Sequence, residues 1–375
     1  MRTFLCILSI VCALASVTPA HAQSTVSGQP NIDDRAAAYH AFVLGRSLEG
    51  AGDIEGAVAA FLRAAELDPA AADIWAELAA LYARRNRADE AIEAGRAALD
   101  RDPDNEEAHR ILGLVYSARA GTRGDAGQED VDRAVDHLER ARDPLTPDPG
   151  LYLSLGRLYV ATGETAKAID LLNELLEAEP QFADAHVLLA QAYEAQGAWD
   201  EAAAAYERAV TWSPQRARYR RQLANALLNA GEPARALEVV RELVRVRSDD
   251  TSGWYLLSEL ELQLNNYDEA GAAARRVIAL EPDGLRGAYM LSRVLGAQGE
   301  YQAMVDALEP AVRGAIERDV AASQIVSLLQ RLSVAHEQLG DHDAAIDTLT
   351  RALDLTPSHL GLQAQLAQVY IDSGR

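Results

Sequence analysis

The chain has 375 residues, of which 57 are acidic and 35 are basic, so its formal net charge is −22. This acidic excess argues against nucleic-acid binding, because phosphate contacts depend on clustered Lys and Arg. An apolar content of 49% excludes a wholly disordered acidic chain, and the length would ordinarily suggest two or three domains.

The first 22 residues have the features of a secretory signal peptide. A basic Arg2 precedes a mainly apolar stretch at residues 4–17, and residues 20–22 read Ala-His-Ala, a small-x-small cleavage site. A membrane anchor is the alternative, but the apolar stretch is shorter than the ~20 residues that a spanning helix needs. We therefore expect a mature chain that starts near Gln23, is periplasmic or secreted, and has no integral membrane span.

Both cysteines, Cys6 and Cys12, lie inside this predicted signal peptide. A mature chain without a thiol can form no disulfide, no thiolate nucleophile and no cysteine-ligated metal site. Residues 23–36, which follow the cleavage site, are predicted to be a flexible N-terminal segment.

A 34-residue period organises the rest of the chain, which predicts a repeated helical unit. When each copy is numbered from one to 34, the ten copies start at residues 38, 72, 106, 149, 183, 217, 251, 285, 326 and 360. Position 7 is Leu in every copy, and position 8 is always Gly, Ala or Ser. A large residue beside a small one on one helical stripe allows two helices to pack closely.

The turn positions of each copy divide it into two helices. Position 15 is Gly or Asn in nine copies, and these residues accept the left-handed conformation that ends a helix. Position 20 is usually Ala, and position 32 is Pro in six copies, where it ends the second helix.

This pattern resembles the tetratricopeptide repeat family across residues 38–375, although Trp at position 4 remains only as Trp75 and Trp254. The resemblance implies an all-α fold, a right-handed α-solenoid of antiparallel helix pairs whose first helices line a concave face. Residues 37–317 would hold repeats 1–8, and residues 318–375 would hold repeat 9 and the first helix of an incomplete repeat 10. Because repeat arrays normally end in a polar cap, we expect the natural chain to continue past Arg375.

Two copies are longer than 34 residues. Repeat 3 carries a predicted loop insertion at residues 117–131, which lacks the Lys-Ser/Thr of a phosphate-binding loop and is expected to be solvated. A second insertion falls near residues 313–323, where Pro310 is expected to kink a helix.

The sequence contains no recognisable catalytic or metal-binding motif. No His pair has the spacing of a zinc helix, and no Ser lies in a nucleophile elbow. We therefore predict a protein that is not an enzyme and that needs no cofactor and no metal.

Positions 2, 5 and 9 of the first helices in repeats 6 to 8 are suited to binding a peptide. Arg offers a planar fork for carboxylates, and Tyr offers a rigid amphipathic surface. The candidate groove residues are Arg218, Arg221, Asn225, Tyr255, Glu259, Arg286, Tyr289 and Arg293. The alternative is that they are ordinary exposed polar residues. Arg221 and Asn225 are similar to half of the carboxylate clamp of chaperone-binding family members, but Leu256 stands where that clamp has Asn.

The leading hypothesis is a noncatalytic, exported scaffold that binds a protein or peptide partner in its concave groove. One alternative is the substrate-recruiting region of a larger enzyme, with its catalytic domain beyond residue 375. Another is an envelope assembly or secretion factor, which would differ only in its partner.

Overall fold

The computed structural model describes residues 32–121 and 127–375. The predicted signal peptide lies outside these residues. All regular structure in the described part of the chain is helical. The helices, in order, are α1 (Ile32–Gly50), α2 (Ile54–Leu67), α3 (Ala72–Arg84), α4 (Ala88–Leu99), α5 (Glu106–Ala120), α6 (Gln128–Arg140), α7 (Pro149–Ala161), α8 (Thr165–Ala178), α9 (Ala183–Gln196), α10 (Trp199–Trp212), α11 (Ala217–Asn229), α12 (Pro233–Val246), α13 (Thr251–Gln263), α14 (Tyr267–Leu280), α15 (Arg286–Gln298), α16 (Tyr301–Glu317), α17 (Ala322–Gln338), α18 (His342–Leu355) and α19 (Leu360–Asp372).

These helices form two compact units, one ending at Val115 and the other comprising Tyr116–Arg375. Within each unit, consecutive helices pack against each other as antiparallel pairs, and the odd-numbered helices are the first helices of the repeats. In the second unit, successive first helices such as α13, α15 and α17 also contact one another. The predicted fold class, an all-α solenoid of helix pairs, is confirmed.

Position 7 forms the centre of the packing, as the sequence pattern predicts. Its Leu is buried in repeats 2 to 9, whereas Leu44 of repeat 1 is 46% exposed and Leu366 of repeat 10 is half-buried. Position 8 requires a small residue because side chains of neighbouring helices approach its backbone closely. A Cβ on Gly45 would lie 2.8 Å from the ring of Phe61, and a Cβ on Gly156 would lie 3.1 Å from Leu188.

The predicted turn residues at position 15 adopt the left-handed conformation in all nine copies that carry them. Only Gly reaches this region without a steric cost, and Asn tolerates it better than most residues. The positive φ values are 84° at Gly52, 58° at Asn86, 81° at Gly163, 73° at Gly197, 79° at Gly231, 61° at Asn265, 74° at Gly299, 75° at Gly340 and 71° at Gly374.

Helices extend into segments that the sequence analysis assigned to loops. The first helix starts at Ile32, inside the predicted flexible segment. Helix α5 continues to Ala120 and α6 begins at Gln128, so the insertion of repeat 3 is shorter than residues 117–131, and residues 122–126 lie outside the described part. The second insertion lengthens α16 and α17 to 17 residues each. Pro310 lies inside α16, and the kink there stays a prediction.

Position 4 ties several repeats to the repeat before them. Its side chain donates an N–H hydrogen bond to the backbone carbonyl of position 32 in the preceding repeat, six residues earlier. The pairs are His109 to Pro103 at 3.0 Å, His186 to Pro180 at 2.8 Å, Arg220 to Pro214, Trp254 to Ser248 at 3.0 Å and Gln363 to Pro357 at 2.9 Å. These copies therefore all have a hydrogen-bond donor at position 4, although the residue type differs from copy to copy.

Candidate functional site

The structure brings five of the eight candidate residues together on α13 and α15. The guanidinium of Arg286 lies 4.6 Å from the centroid of the Tyr255 ring, a cation–π distance. Nη1 of Arg293 lies 3.2 Å from Oε1 of Glu259. Tyr255, Arg286 and Tyr289 line one cleft.

The other three candidates lie on α11 and are not part of this group. Nη1 of Arg221 forms an ion pair with Oδ2 of Asp250 at 2.6 Å, so its charge is already compensated. Arg218 is exposed and lies over the ring of Tyr219, and Asn225 is exposed. Arg221 and Asn225 were expected to resemble half of a carboxylate clamp, but Arg221 is already paired with Asp250 of the chain itself.

Three adjoining clefts form the candidate site. The first, the aromatic cleft, has a volume of about 330 Å³ and is lined by Tyr255, Leu285, Arg286, Tyr289, Gln324, Ser327 and Leu328. The middle cleft, of about 320 Å³, is lined by Tyr289, Met304, Ser327, Gln330, Arg331, Val334 and Gln365. The arginine cleft, of about 360 Å³, is lined by Leu262, Arg293, Gly296, Ala297, Tyr301, Met304, Arg331, Val334 and Gln338. Neighbouring clefts share lining residues, so the three lie next to one another.

Arg331 is a site residue that the sequence analysis missed. It lies half-buried on α17, where Nη2 donates to the backbone oxygen of Ser292 at 2.8 Å and Nε donates to the Ser292 hydroxyl. Its guanidinium is 5.6 Å from the centroid of the Tyr289 ring. Burial lowers the pKa of Arg331, and the positive charge of nearby Arg293 acts in the same direction.

The charge of the clefts is opposite to that of the whole chain. Arg286, Arg293 and Arg331 line them, and no Asp or Glu is among the described residues of their walls. Glu259 stands beside the arginine cleft, where it pairs with Arg293. Such a local cationic lining creates a positive potential that attracts anionic groups at close range.

Part of the missed lining was accessible from the sequence. Ser327, Gln330 and Val334 occupy positions 2, 5 and 9 of repeat 9, so extending the same stripe by one repeat identifies them. Arg331 occupies position 6, outside the stripe, and only its packing against Ser292 reveals its place.

The described residues offer binding chemistry of a simple kind. They contain no group of three or more His, Asp or Glu side chains arranged to hold a metal ion. None of the helices in residues 32–121 and 127–375 is long and apolar enough to cross a membrane. The clefts present guanidinium donors, amide groups and aromatic faces.

Comparison with known proteins identifies relatives with similar repeats. Cellulose synthase operon protein C of Xanthomonas axonopodis pv. citri is 27% identical over 354 residues, covering 87% of this chain and 23% of that protein. Lipopolysaccharide assembly protein B of Escherichia coli is 26% identical over 249 residues, covering 63% and 60%. Vi polysaccharide export protein VexE of Salmonella typhi is 26% identical over 159 residues, covering 42% and 24%. The chain thus spans only about a quarter of the cellulose synthase operon relative.

A solved structure also shares the fold. The C-terminal part of a TPR repeat-containing protein from Cytophaga hutchinsonii superposes with a TM-score of 0.54 at 14% identity, covering 68% of this chain and 99% of that chain. Family models of the tetratricopeptide repeat match residues 42–121, 153–217, 193–260, 251–283 and 326–359. These matches, together with the helix pairs and their left-handed turn residues, show that the chain belongs to the tetratricopeptide repeat family.

Proposed function

We propose that this chain is a noncatalytic scaffold that holds an extended segment of a protein partner against α13, α15, α17 and α19. The observation that carries the proposal is the row of three adjoining clefts, which are lined mainly by these first helices. Tyr289 and Ser327 join the aromatic cleft to the middle cleft, and Met304, Arg331 and Val334 join the middle cleft to the arginine cleft.

The size and form of the clefts favour a peptide over a small cofactor. Each has a volume of about 320–360 Å³, at the lower end of the range for small-molecule sites. A row of such clefts suits an extended chain, whose successive side chains can enter neighbouring clefts. Arg and Tyr, which line the clefts, are also among the residue types that contribute most of the binding energy at protein interfaces.

The relatives support a role at the cell envelope. Three of them are named for a cellulose synthase operon, lipopolysaccharide assembly and export of the Vi polysaccharide. Together with the predicted signal peptide, they favour an exported scaffold in a polysaccharide assembly or export system. Detection in a periplasmic extract of a chain whose N-terminus lies near Gln23 would support export, and recovery only of the unprocessed chain from the cytoplasm would contradict it.

The partner-binding surface can be tested by site-specific crosslinking in the intact cell. A photoreactive amino acid at Gln330, in the middle cleft, should capture the partner, whereas the same amino acid at the exposed Gln302 of α16 should not. Equal capture from both positions, or capture from Gln302 alone, would reject the groove.

Affinity for the captured partner provides the quantitative test. The double variant Tyr255→Ala/Tyr289→Ala removes both aromatic walls and should weaken binding by about tenfold or more, since each buried interface aromatic contributes roughly 1 kcal/mol or more. Tyr39→Ala is the matched control, because Tyr39 lies on α1 and is 71% exposed. An unchanged dissociation constant in the double variant would refute the proposal.

The second candidate is a recruiting region of a larger enzyme, and the length of the relatives favours it. The chain covers 23% of the length of one cellulose synthase operon relative and 12% of another. Reading the gene beyond Arg375 separates the two functions, because only the second requires a catalytic domain in the same polypeptide.

A further inference from the structure

We propose that the arginine and middle clefts form one anion subsite, which binds a carboxylate of the partner, and that the adjoining aromatic cleft holds an apolar side chain of the same segment. This inference rests on the proposed function and names the chemistry of the ligand. The carboxylate can be an Asp or Glu side chain or the C-terminus of the partner, and the experiment distinguishes these sources.

Arg331 supplies the main contact of this subsite. A guanidinium has five N–H donors, and Ser292 accepts from two of its nitrogens, which fixes the plane of the group. Within the described residues, no carboxylate forms an ion pair with Arg331. A half-buried guanidinium whose remaining N–H groups have no acceptor is energetically unfavourable. A planar carboxylate can accept two parallel hydrogen bonds from these N–H groups.

Arg293 supplies a second positive charge to the same cleft. Two like charges that share a partly buried site repel each other, and an anion bound between them relieves that repulsion. Glu259 forms an ion pair with Arg293 at 3.2 Å, but it does not line the cleft. The chain carries 57 acidic residues, yet the walls of these two clefts contain none of them and two arginines, which suits this surface to a partner's acidic group.

The aromatic cleft defines the second half of the recognised motif. Leu285 and Leu328 line this cleft together with Tyr255 and Tyr289, which gives it a largely apolar wall. Tyr289 also lines the middle cleft, so an apolar group in the aromatic cleft and a carboxylate in the anion subsite would occupy adjacent positions. A partner segment should therefore pair a bulky apolar residue with a nearby carboxylate.

A displayed peptide library tests the motif without assuming a spacing. Random 12-residue peptides are presented in two formats, one flanked on both sides and one with a free C-terminus, and are selected on the mature chain. We expect enrichment of sequences that combine a large apolar residue with Asp or Glu in the first format, or with the terminal carboxylate in the second. If neither format enriches such sequences, the inference is rejected.

Binding constants of an enriched, fluorescein-labelled peptide then test the residues. Changing its carboxylate to the neutral amide should weaken binding by about tenfold, the loss expected for a charge-assisted hydrogen bond. The variant Arg331→Gln should weaken the acidic peptide by a similar factor and leave the amide peptide nearly unaffected. Arg293→Gln is the second variant, and it keeps the test valid if loss of the Arg331 bonds to Ser292 impairs folding.

Arg245→Gln is the charge-matched control, since that side chain is 72% exposed on α12. Its affinity for the acidic peptide should equal that of the wild type. If the acidic and amide peptides bind equally well and Tyr255→Ala/Tyr289→Ala still abolishes binding, the anion subsite is wrong while the proposed groove stands. If Gln330 captures no partner in the cell, the groove itself fails.

Discussion

Replacing His186 with Phe isolates the contribution of the donor at position 4. The His186 side chain is 3% exposed, and its Nε2–H donates to the carbonyl oxygen of Pro180 at 2.8 Å. Phe fills a similar volume but has no N–H group. A hydrogen bond contributes a net of about 0.5–1.5 kcal/mol, so we expect the free energy of unfolding to fall by about 1 kcal/mol. Within the described structure Nδ1 has no hydrogen-bond partner, and its removal offsets part of the loss.

His186→Gln is the matched variant, because the chain itself uses Gln at the same position of repeat 10. There Nε2 of Gln363 donates to the carbonyl oxygen of Pro357 at 2.9 Å. We expect His186→Gln to restore the donor and to bring the stability closer to the wild type than His186→Phe does. The assay is urea unfolding followed by circular dichroism, with hydrogen exchange in α9 as a local probe because repeat arrays can open in parts.

The wild type should also show a pH dependence that both variants lack. Burial lowers the pKa of His186, since the folded chain disfavours the charged imidazolium. The neutral form therefore stabilises the fold above the ordinary pKa of about 6.5, and this stability is lost as the pH falls below that value. Equal stability of wild type, Phe and Gln variants at pH 7.5, with identical losses at pH 5, would refute the role assigned to this hydrogen bond.

Two further substitutions test packing and a buried charge. Gly287→Ala would place a Cβ 2.8 Å from a backbone nitrogen of α14, so we expect urea unfolding to show a loss of about 1–2 kcal/mol. Gly271→Ala on α14 is the control, because its Cβ would meet the end of the exposed Arg275 side chain at 3.4 Å and Val294 at 3.8 Å, and it should be neutral or stabilising. Arg241→Met removes the ion pair that Arg241 forms with Glu261 at 2.9 Å, and the side chain of Glu261 is only 2% exposed. We expect the free energy of unfolding to fall by about 2 kcal/mol, because a buried carboxylate is left without its partner. Arg245→Met removes an exposed ion pair and should leave the unfolding midpoint unchanged.

Much of the fold could be predicted from the sequence, because the ends of most helices depend on the backbone preferences of single residues. Gly or Asn at position 15 predicts a left-handed turn because of its own backbone preference, and each such turn is present. The lengths of α5, α16 and α17 were not accessible in the same way. Gly121 follows the end of α5, but the composition of the insertion predicted a loop from residue 117. No breaker residue marks the end of α16 or the start of α17, and Pro310 does not end α16.

The candidate site was only partly accessible because its parts lie far apart in the chain. The stripe of Tyr255 and Tyr289 follows from the repeat period alone. The position of Arg331 in the site depends on its hydrogen bond to Ser292, which is 39 residues earlier and two helices away. Arg221, in contrast, has a sequence context suited to ligand binding, but its pairing with Asp250 across 29 residues became visible only in three dimensions.

The acid-free lining of the clefts sets up opposite effects of salt on two stages of binding. At separations up to about the Debye length of ~8 Å at physiological ionic strength, an approaching partner senses the acidic excess behind the net charge of −22, so a strongly acidic protein is repelled before it reaches the clefts. Added salt screens this repulsion and speeds encounter, yet it also weakens the contact with Arg331 after docking. The arrangement therefore selects against acidic surfaces in general and in favour of a single carboxylate carried on a neutral or basic segment.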